Sequence, residues 1–425
     1  MENEKLVPKL RFSGFTDEWN EVTLNDVATF SKGKGISKND ISDYGIECVR
    51  YGELYTKYNE MIYNIESKTN LDKNELKLSE KDDILIPCSG ETAIDLATAS
   101  CIQKDQVAIG GDITVIKTDQ YAPFITYYLN QKKTEIAKYA QGVSIVHLYP
   151  KDFKVMNIKI PSITEQKKII ALLEEISKKE RLLESKYQEY QDFKKFLMQQ
   201  IFAQKLRFDF ENDWEKFTLG DIGETYNGLS GLSKDNFEKG NSRYITYKSI
   251  FDNNVLIDDL TEPVDLNNKS QNNVEKGDLF FTGSSETPEE VGMVSVLNFD
   301  IDNCYLNSFC FGYRLKDLTK VNPIFLAYYL RSPIMRNKIQ ILAQGSTRFN
   351  LSKKEILKLK INVPEMKEQI KILDLMQNND KLLKNTSCQI TEMNLFKKSL
   401  LQQMFVLLRI FLLISVRKSV ASNTF

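Results

Sequence analysis

Histidine is almost missing from this chain of 425 residues: there is one, His147. A site that needs two or more imidazoles, such as a multi-histidine zinc centre, is thereby excluded. The six cysteines, Cys48, Cys88, Cys101, Cys304, Cys310 and Cys388, form no CxxC pair. Their scatter suits reduced thiols of a cytoplasmic protein better than a zinc site or a disulfide framework. Excess charge of one sign is also lacking, since 57 Lys and Arg face 58 Asp and Glu, for a net charge of −1. A protein that held nucleic acid tightly by itself would ordinarily be basic, so such binding here requires local charge or charge lent by partner subunits. No GxxxxGK[ST] phosphate loop occurs. The strings Lys32-Gly33-Lys34-Gly35 and Gly228-Leu229-Ser230-Gly231 lack the strand–turn–helix setting of a dinucleotide site. Asn322-Pro323-Ile324-Phe325 lacks the second proline of an adenine-methyltransferase motif and reads as a helix start. The opening Met1-Glu2-Asn3-Glu4-Lys5 is polar and unlike a signal peptide. The apolar run Val406–Val416 is interrupted by Arg409 and falls short of the ~20 residues of a membrane span.

What is present is a repetition. Leu10-Arg11-Phe12, Trp19, Thr23-Leu24 and Asp26 return as Leu206-Arg207-Phe208, Trp214, Thr218-Leu219 and Asp221. Trp19 and Trp214 lie 195 positions apart, as do Asp83 and Asp278, Ser89 and Ser284, and Thr92 and Thr287. Gln141-Gly142 and Gln344-Gly345, Pro161 and Pro364, and Phe193 and Phe396 lie 203 apart, so an insertion falls between Thr92 and Gln141. A period of this size is far beyond the roughly 20–50 residues of a solenoid, and indicates a duplicated domain with an internal pseudo-two-fold.

After each proline the texture changes to uninterrupted helix formers. From Thr164 to about Gln204 there is neither Gly nor Pro, and Thr164 is an acceptable N-cap. Heptad positions a and d are Leu173, Ile176, Glu180, Leu183, Tyr187, Tyr190, Lys194, Leu197 and Ile201. In the second copy they are Met376, Asn379, Leu383, Thr386, Ile390, Met393, Lys397, Leu400 and Met404. The polar breaks are staggered, so each helix suits the other, or third-party helices, better than a copy of itself. About forty residues span roughly 60 Å, twice the width of a small domain, and an antiparallel pair with a globular half at either end is the economical arrangement. Within each half, Val22–Phe30 and Phe217–Tyr226 read as strand or helix entry, Asp83–Ile86 and Asp278–Phe281 as buried strands, and Pro123–Lys138 and Pro323–Ile341 as helices. No strand–helix–strand succession supports a doubly wound sheet. The expected class is α+β.

The two halves also share polar loops. Ser89-Gly90-Glu91-Thr92 and Ser284-Ser285-Glu286-Thr287 follow the apolar strands; small residues there allow backbone amides close to phosphates or base edges, although a tight turn explains each loop equally well. After Gln-Gly, Val143-Ser144-Ile145-Val146-His147 faces Ser346-Thr347-Arg348-Phe349-Asn350, five differences in five positions inside a preserved frame. That pattern suits one scaffold reading two ligands, with Arg348 able to address guanine and Asn350 adenine; free drift of a loop is the alternative. His147 coincides with Asn350, so a histidine base is not something both halves need.

In these residues the chain resembles a specificity subunit of a type I restriction-modification system. The resemblance runs from Leu10 to Phe405, through Trp19…Thr23-Leu24…Asp26, Lys276-Gly277-Asp278-Leu279, Gln344-Gly345-Ser346-Thr347 with Leu351-Ser352, Pro364…Glu368-Gln369, and Phe193-Lys194-Lys195…Gln199-Gln200 repeated at Phe396-Lys397-Lys398…Gln402-Gln403. It implies target recognition domains at 1–160 and 206–363 and spacer helices at 161–205 and 364–405 forming an antiparallel coiled coil; the apolar tail at 406–425 is atypical and departs from the family pattern. It implies double-stranded DNA with a bipartite site as ligand, with two modification subunits and two restriction subunits as partners. S-adenosylmethionine, ATP and Mg would sit on those partners, with no cofactor, metal or catalytic residue in this chain and no membrane. DNA contacts are then expected at Lys32, Lys34, Ser89, Thr92, Gly142, Ser144 and His147 in the first half. In the second half they are expected at Ser284, Ser285, Thr287, Gly345, Ser346, Thr347, Arg348 and Asn350. Subunit docking is expected at Leu173, Ile176, Leu183, Tyr187, Tyr190, Leu197, Met376, Leu383, Ile390, Met393 and Leu400. The competing reading is a coiled-coil scaffold joining two ligand-binding domains unrelated to DNA.

Overall fold

A computed structural model of the protein describes residues 6–142, 145–257, 260–267 and 269–406. It divides into two compact units, residues 6–182 with 390–406, and Leu183–Gln389. The boundary falls inside both long helices, Ile163–Phe202 and Met366–Met404, so each unit holds half of each.

The same mixed sheet lies at the centre of both units. In the first, the spatial order is Ala28–Lys32, Ile113–Thr118, Ile84–Pro87, Ser100–Ile102, Met61–Ile62. In the second it is Gly223–Asn227, Cys310–Leu315, Leu279–Thr282, Val294–Leu297, Val255–Leu256. Neighbours are antiparallel except at the last pair, which is parallel in both. The acidic residue that opens each central strand closes its entry turn: Asp83 accepts from the Glu80 amide at 2.9 Å and Asp278 from the Glu275 amide at 2.8 Å. A smaller sheet flanks each large one, four-stranded in the first unit and three-stranded in the second. This is the α+β architecture expected.

Three expectations need correction. The helix expected over Pro123–Lys138 breaks at Lys132 into Ala122–Gln131 and Lys133–Ile136, followed by the 3-10 turn Ala137–Tyr139. The helix expected over Pro323–Ile341 is two, Pro323–Leu330 and Pro333–Ile341, because Pro333 has no N–H to continue the ladder and Ser332 caps the second helix at Met335. The first long helix starts before Thr164, at Ile163, and it is Ser162 whose hydroxyl accepts from the Glu165 amide.

The Glu-Gln pair that begins each long helix ties it to its own unit. Glu165 takes two bonds from Arg11, both 2.8 Å, and Glu368 takes two from Arg207, at 3.1 and 2.9 Å. Both carboxylates are buried, so the bidentate guanidinium offsets a desolvation that would otherwise be severe. The adjoining Gln166 and Gln369 are wholly enclosed. Gln166 accepts from the Tyr121 amide and donates to the Pro161 carbonyl; Gln369 does the same with Asn322 and Pro364.

The far end of the other helix closes each core. In the first unit Phe405 stacks on Phe124 at 5.2 Å and meets the edge of Trp19 at 6.4 Å. In the second Phe202 stacks on Tyr329 at 4.9 Å, beside Phe325 at 5.8 Å. Within each unit the helix halves run antiparallel, and the charged breaks of the seam meet opposite charge: Lys397 reaches Glu180 at 3.2 Å in the first unit, and Lys194 reaches Asp380 at 2.5 Å in the second. The neutral break Thr386 instead bonds to the Leu382 carbonyl of its own helix.

Removing Glu165 leaves Arg11 without its carboxylate and the helix start without its anchor. Glu165→Ala is expected to lower stability by about 3–5 kcal/mol in urea denaturation, and Glu368→Ala by a similar amount; a loss under ~1 kcal/mol would contradict the anchoring role.

Candidate nucleic-acid interface

A hairpin follows the Tyr-rich helices in each unit and pairs with the strand after the central apolar run. In the first unit Val146–His147 lies antiparallel to Ser89–Gly90, with Ser89 opposite His147, and Gln141 exchanges backbone bonds of 2.9 and 2.8 Å with His147. In the second, Phe349–Leu351 lies between Ser284–Ser285 and Ala343–Gln344, with Asn350 opposite both Ser284 and Gln344. His147 and Asn350 therefore occupy one structural position, as the 203-residue offset requires. The turn is built on glycine: Gly142 has φ +122° and Gly345 φ +139°, and a Cβ there would sit 2.2 Å from the Ile145 carbonyl oxygen or 2.0 Å from that of Arg348.

The described tip residues are exposed and differ in chemistry. In the second unit Ser346, Thr347, Arg348 and Asn350 are exposed, and the Arg348 guanidinium lies 4.9 Å from the ring centre of the half-exposed Phe309. Such stacking holds a guanidinium edge-on to solvent with its donors free for a ligand. In the first unit Ile145 is exposed, and His147 stacks on Tyr149 at 5.9 Å with the Lys151 ammonium 5.6 Å above the tyrosine ring. Lys32 and Tyr149 line one cavity of about 290 Å³, which brings Lys32 to the same face. At Lys32's place the second unit has Asn227, whose side chain accepts a hydrogen bond from Lys353. A cation is retained there, carried on the opposite element.

The other expected contacts sort by exposure. Thr92 and Thr287 are exposed, and Thr92 caps the short helix Ala93–Leu96 through the Asp95 amide. Lys34 is exposed, and the Gly33 beside it is needed for close approach, since a Cβ would fall 2.1 Å from the Gly110 carbonyl oxygen. Ser144 lies outside the described residues. Ser89, Ser284 and Ser285 are a correction: they are buried in the strand pairs, and the Ser285 hydroxyl is spent on Glu290 at 2.8 Å, so they shape the hairpin from beneath. Sequence reasoning missed Phe309, Tyr149 and Lys151; an aromatic next to a basic residue in Tyr149-Pro150-Lys151 was the signal available.

The seam residues need a second correction. Leu173, Ile176 and Leu400 are buried in the core of the first unit, and Leu197 and Met376 in that of the second. Leu183, Tyr187, Tyr190, Leu383, Ile390 and Met393 are half-buried along the same stripe. Heptad spacing marks what a helix buries, and here it buries this chain's own core, leaving nothing of the fully buried five for a partner. Apolar side chains that face outward on the long helices are Ile163, Leu182, Leu395 and Phe396 in the first unit and Phe193, Phe196, Ile370 and Leu382 in the second.

Two copies of one mixed-sheet unit, each ending in a divergent hairpin and joined to long helices, define a duplicated recognition protein. The family model described as "Type I restriction modification DNA specificity domain" matches residues 16–190 and again 211–392, and the chain belongs to that family. It is similar to the type I restriction enzyme MjaVIII specificity subunit of Methanocaldococcus jannaschii, at 22% identity over 86% of this chain and 87% of the relative. It is also similar to the StySPI specificity subunit of Salmonella potsdam, at 21% identity over 91% of this chain and 88% of the relative. The crystal structure of the type I restriction-modification S subunit from M. genitalium shares the fold, with a TM-score of 0.61 at 16% identity, covering 95% of this chain and all of the other. Among the described residues no helix is long and apolar enough to cross a membrane.

Because only glycine fits the turn, Gly345→Ala is expected to open the hairpin. Hydrogen exchange at the Asn350 and Leu351 amides should quicken by about tenfold or more while the central strand Leu279–Thr282 keeps its protection. Unchanged exchange at both amides would contradict the strain argument.

Proposed function

We propose that this chain is the DNA-specificity subunit of a cytoplasmic type I restriction-modification complex, each unit reading one half of a bipartite site, with the long helices as spacer. The observation that carries the reading is the pair of hairpins at one structural position, Gln141–His147 and Gln344–Asn350, identical in frame and different at every tip residue. Recognition of base edges needs donors and acceptors presented on a rigid element, and a paired strand with a stacked guanidinium supplies them. Arg348 suits the O6 and N7 acceptors of guanine. Asn350 suits adenine, and the first unit offers His147, Tyr149, Lys151 and Lys32 for a different half-site. The overall charge of −1 supports assembly on DNA in company, with modification subunits lending cationic surface.

Docking of those subunits falls to outward apolar side chains such as Phe193 and Phe396, which recur in both helices. Base chemistry and translocation belong to the partners, two modification and two restriction subunits, and with them S-adenosylmethionine, ATP and Mg. Family membership favours this reading over a scaffold unrelated to DNA.

Co-expression with the modification subunit, followed by long-read mapping of N6-methyladenine, tests the proposal. One bipartite motif is expected for the wild type. Arg348→Ala should relax one position of one half-site, with a discrimination loss of about 1–3 kcal/mol, and leave the other half-site intact. Relaxation in both halves, or no bipartite motif from an assembled complex, would overturn it.

A further inference from the structure

The two units differ at one interior socket, and the difference leaves one of them open. In the second unit Arg331, at the end of the helix Pro323–Leu330, turns inward. It is held by main-chain oxygens alone: its Nη2 donates to the carbonyls of Ile250, Phe251 and Asn253 at 2.6, 2.9 and 2.9 Å, and its Nε to that of Val294. Burial pushes its pKa down to about 10, yet the group stays charged at neutral pH. Four carbonyls at the end of a short helix and the start of a strand thus form a receptor shaped for a guanidinium.

The first unit sets corresponding residues around the same place, although its connection from short helix to strand is two residues longer. Leu54 matches Ile250, each fully buried in a small cluster with Val49 and Ile62 or with Ile245 and Leu256. Met61 pairs with Cys101 as Val255 pairs with Val296, which sets Ala99 in the place of Val294. Arg331 is replaced by Asn130. Its shorter side chain reproduces only the bond to Val294, donating to the Ala99 carbonyl at 2.8 Å while accepting from the Ala99 amide at 3.1 Å. What remains is a polar cavity of about 440 Å³, lined by Leu54, Tyr55 and Asn59, the counterparts of the residues that hold Arg331, and by Asn130 itself.

Charge around the cavity has changed to match. In the second unit Arg331 has a second cation, Arg336, and a carboxylate, Asp252, as its charged neighbours. The first unit keeps one cation, Lys133, 203 positions before Arg336 and bonded to Thr98 at 2.9 Å, and lines the cavity with two carboxylates, Glu60 and Asp95. Lys397 stands 3.7 Å from Glu60 on its other side. Relative to the filled socket, the open one lacks the guanidinium and carries a carboxylate, Glu60, where the second unit has Asn254.

We propose that this cavity is a guanidinium-binding site, filled by an arginine side chain of a partner protein or by a free arginine-like molecule. The inference does not depend on how the hairpins read DNA. The probe is methylguanidinium, with methylammonium at equal ionic strength as control, titrated against the full-length chain by calorimetry and thermal melting. Methylguanidinium should bind about tenfold more tightly than methylammonium, because a planar fork meets several carbonyls where an ammonium meets one or two. Asn130→Arg should abolish that binding by filling the socket in cis, and Glu60→Gln, a milder change, should weaken it several-fold. Equal binding of the two cations, or undiminished methylguanidinium binding in Glu60→Gln and Asn130→Arg, would overturn the proposal. The source is then read from assembly with the modification subunit: Asn130→Arg weakens the complex if a partner arginine enters the cavity, and leaves it unchanged if the ligand is a free molecule.

Discussion

The buried Glu-Gln pair at the head of each long helix is the contact on which the rest of each unit depends. Glu165 and Glu368 are carboxylates enclosed by protein, tolerable only because a bidentate arginine from the segment that opens the unit meets each one. Gln166 and Gln369 complete the joint by satisfying the main chain at the preceding proline and at the start of the Tyr-rich helix. One dipeptide thereby fixes the chain entry, the central helix and the long helix together. The aromatic cluster of Phe405, Phe124 and Trp19, or of Phe202, Tyr329 and Phe325, then closes over that joint.

On this frame the two units differ in the smaller sheet, in the hairpins and in one socket. The large sheet has the same strand order and the same single parallel pair in both. The hairpin tips share their register and no residue. Even the cation near the sheet edge is kept while its carrier changes, from Lys32 in one unit to Lys353 bonded to Asn227 in the other. Rigid placement with free choice of side chain is what reading two unrelated half-sites demands.

Much of this is legible in the sequence because duplication supplies an internal comparison. The offset of 203 sets His147 against Asn350, and their strand partners Ser89 and Ser284 are indeed equivalent. The acidic residue that opens each apolar strand and the staggered seam, Glu180 against Lys397, are visible as pattern without their partners. What pattern does not supply is direction. A two-residue strand hides its serines, so Ser284 and Ser285 look like loop donors in sequence and lie buried in fact. Heptad spacing identifies Leu173 and Met376 as buried without saying against what, and the answer is this chain's own cores. Phe193 and Phe396, which are apolar, repeated and off the seam, are exposed and carry the better signal for the docking face proposed above. Stacking of Arg348 on Phe309 joins residues far apart in the chain, and no periodicity announces it.

The central claim is that the two hairpins are the reading heads. The most direct measurement is the structure of the assembled complex on its own methylated target, resolved well enough to place side chains. The account requires the Arg348 guanidinium within about 2.7–3.2 Å of base-edge acceptors in one half-site, and the His147–Tyr149–Lys151 cluster against the other. Hairpins that face away from the DNA, with base edges contacted from elsewhere in the units, would contradict it.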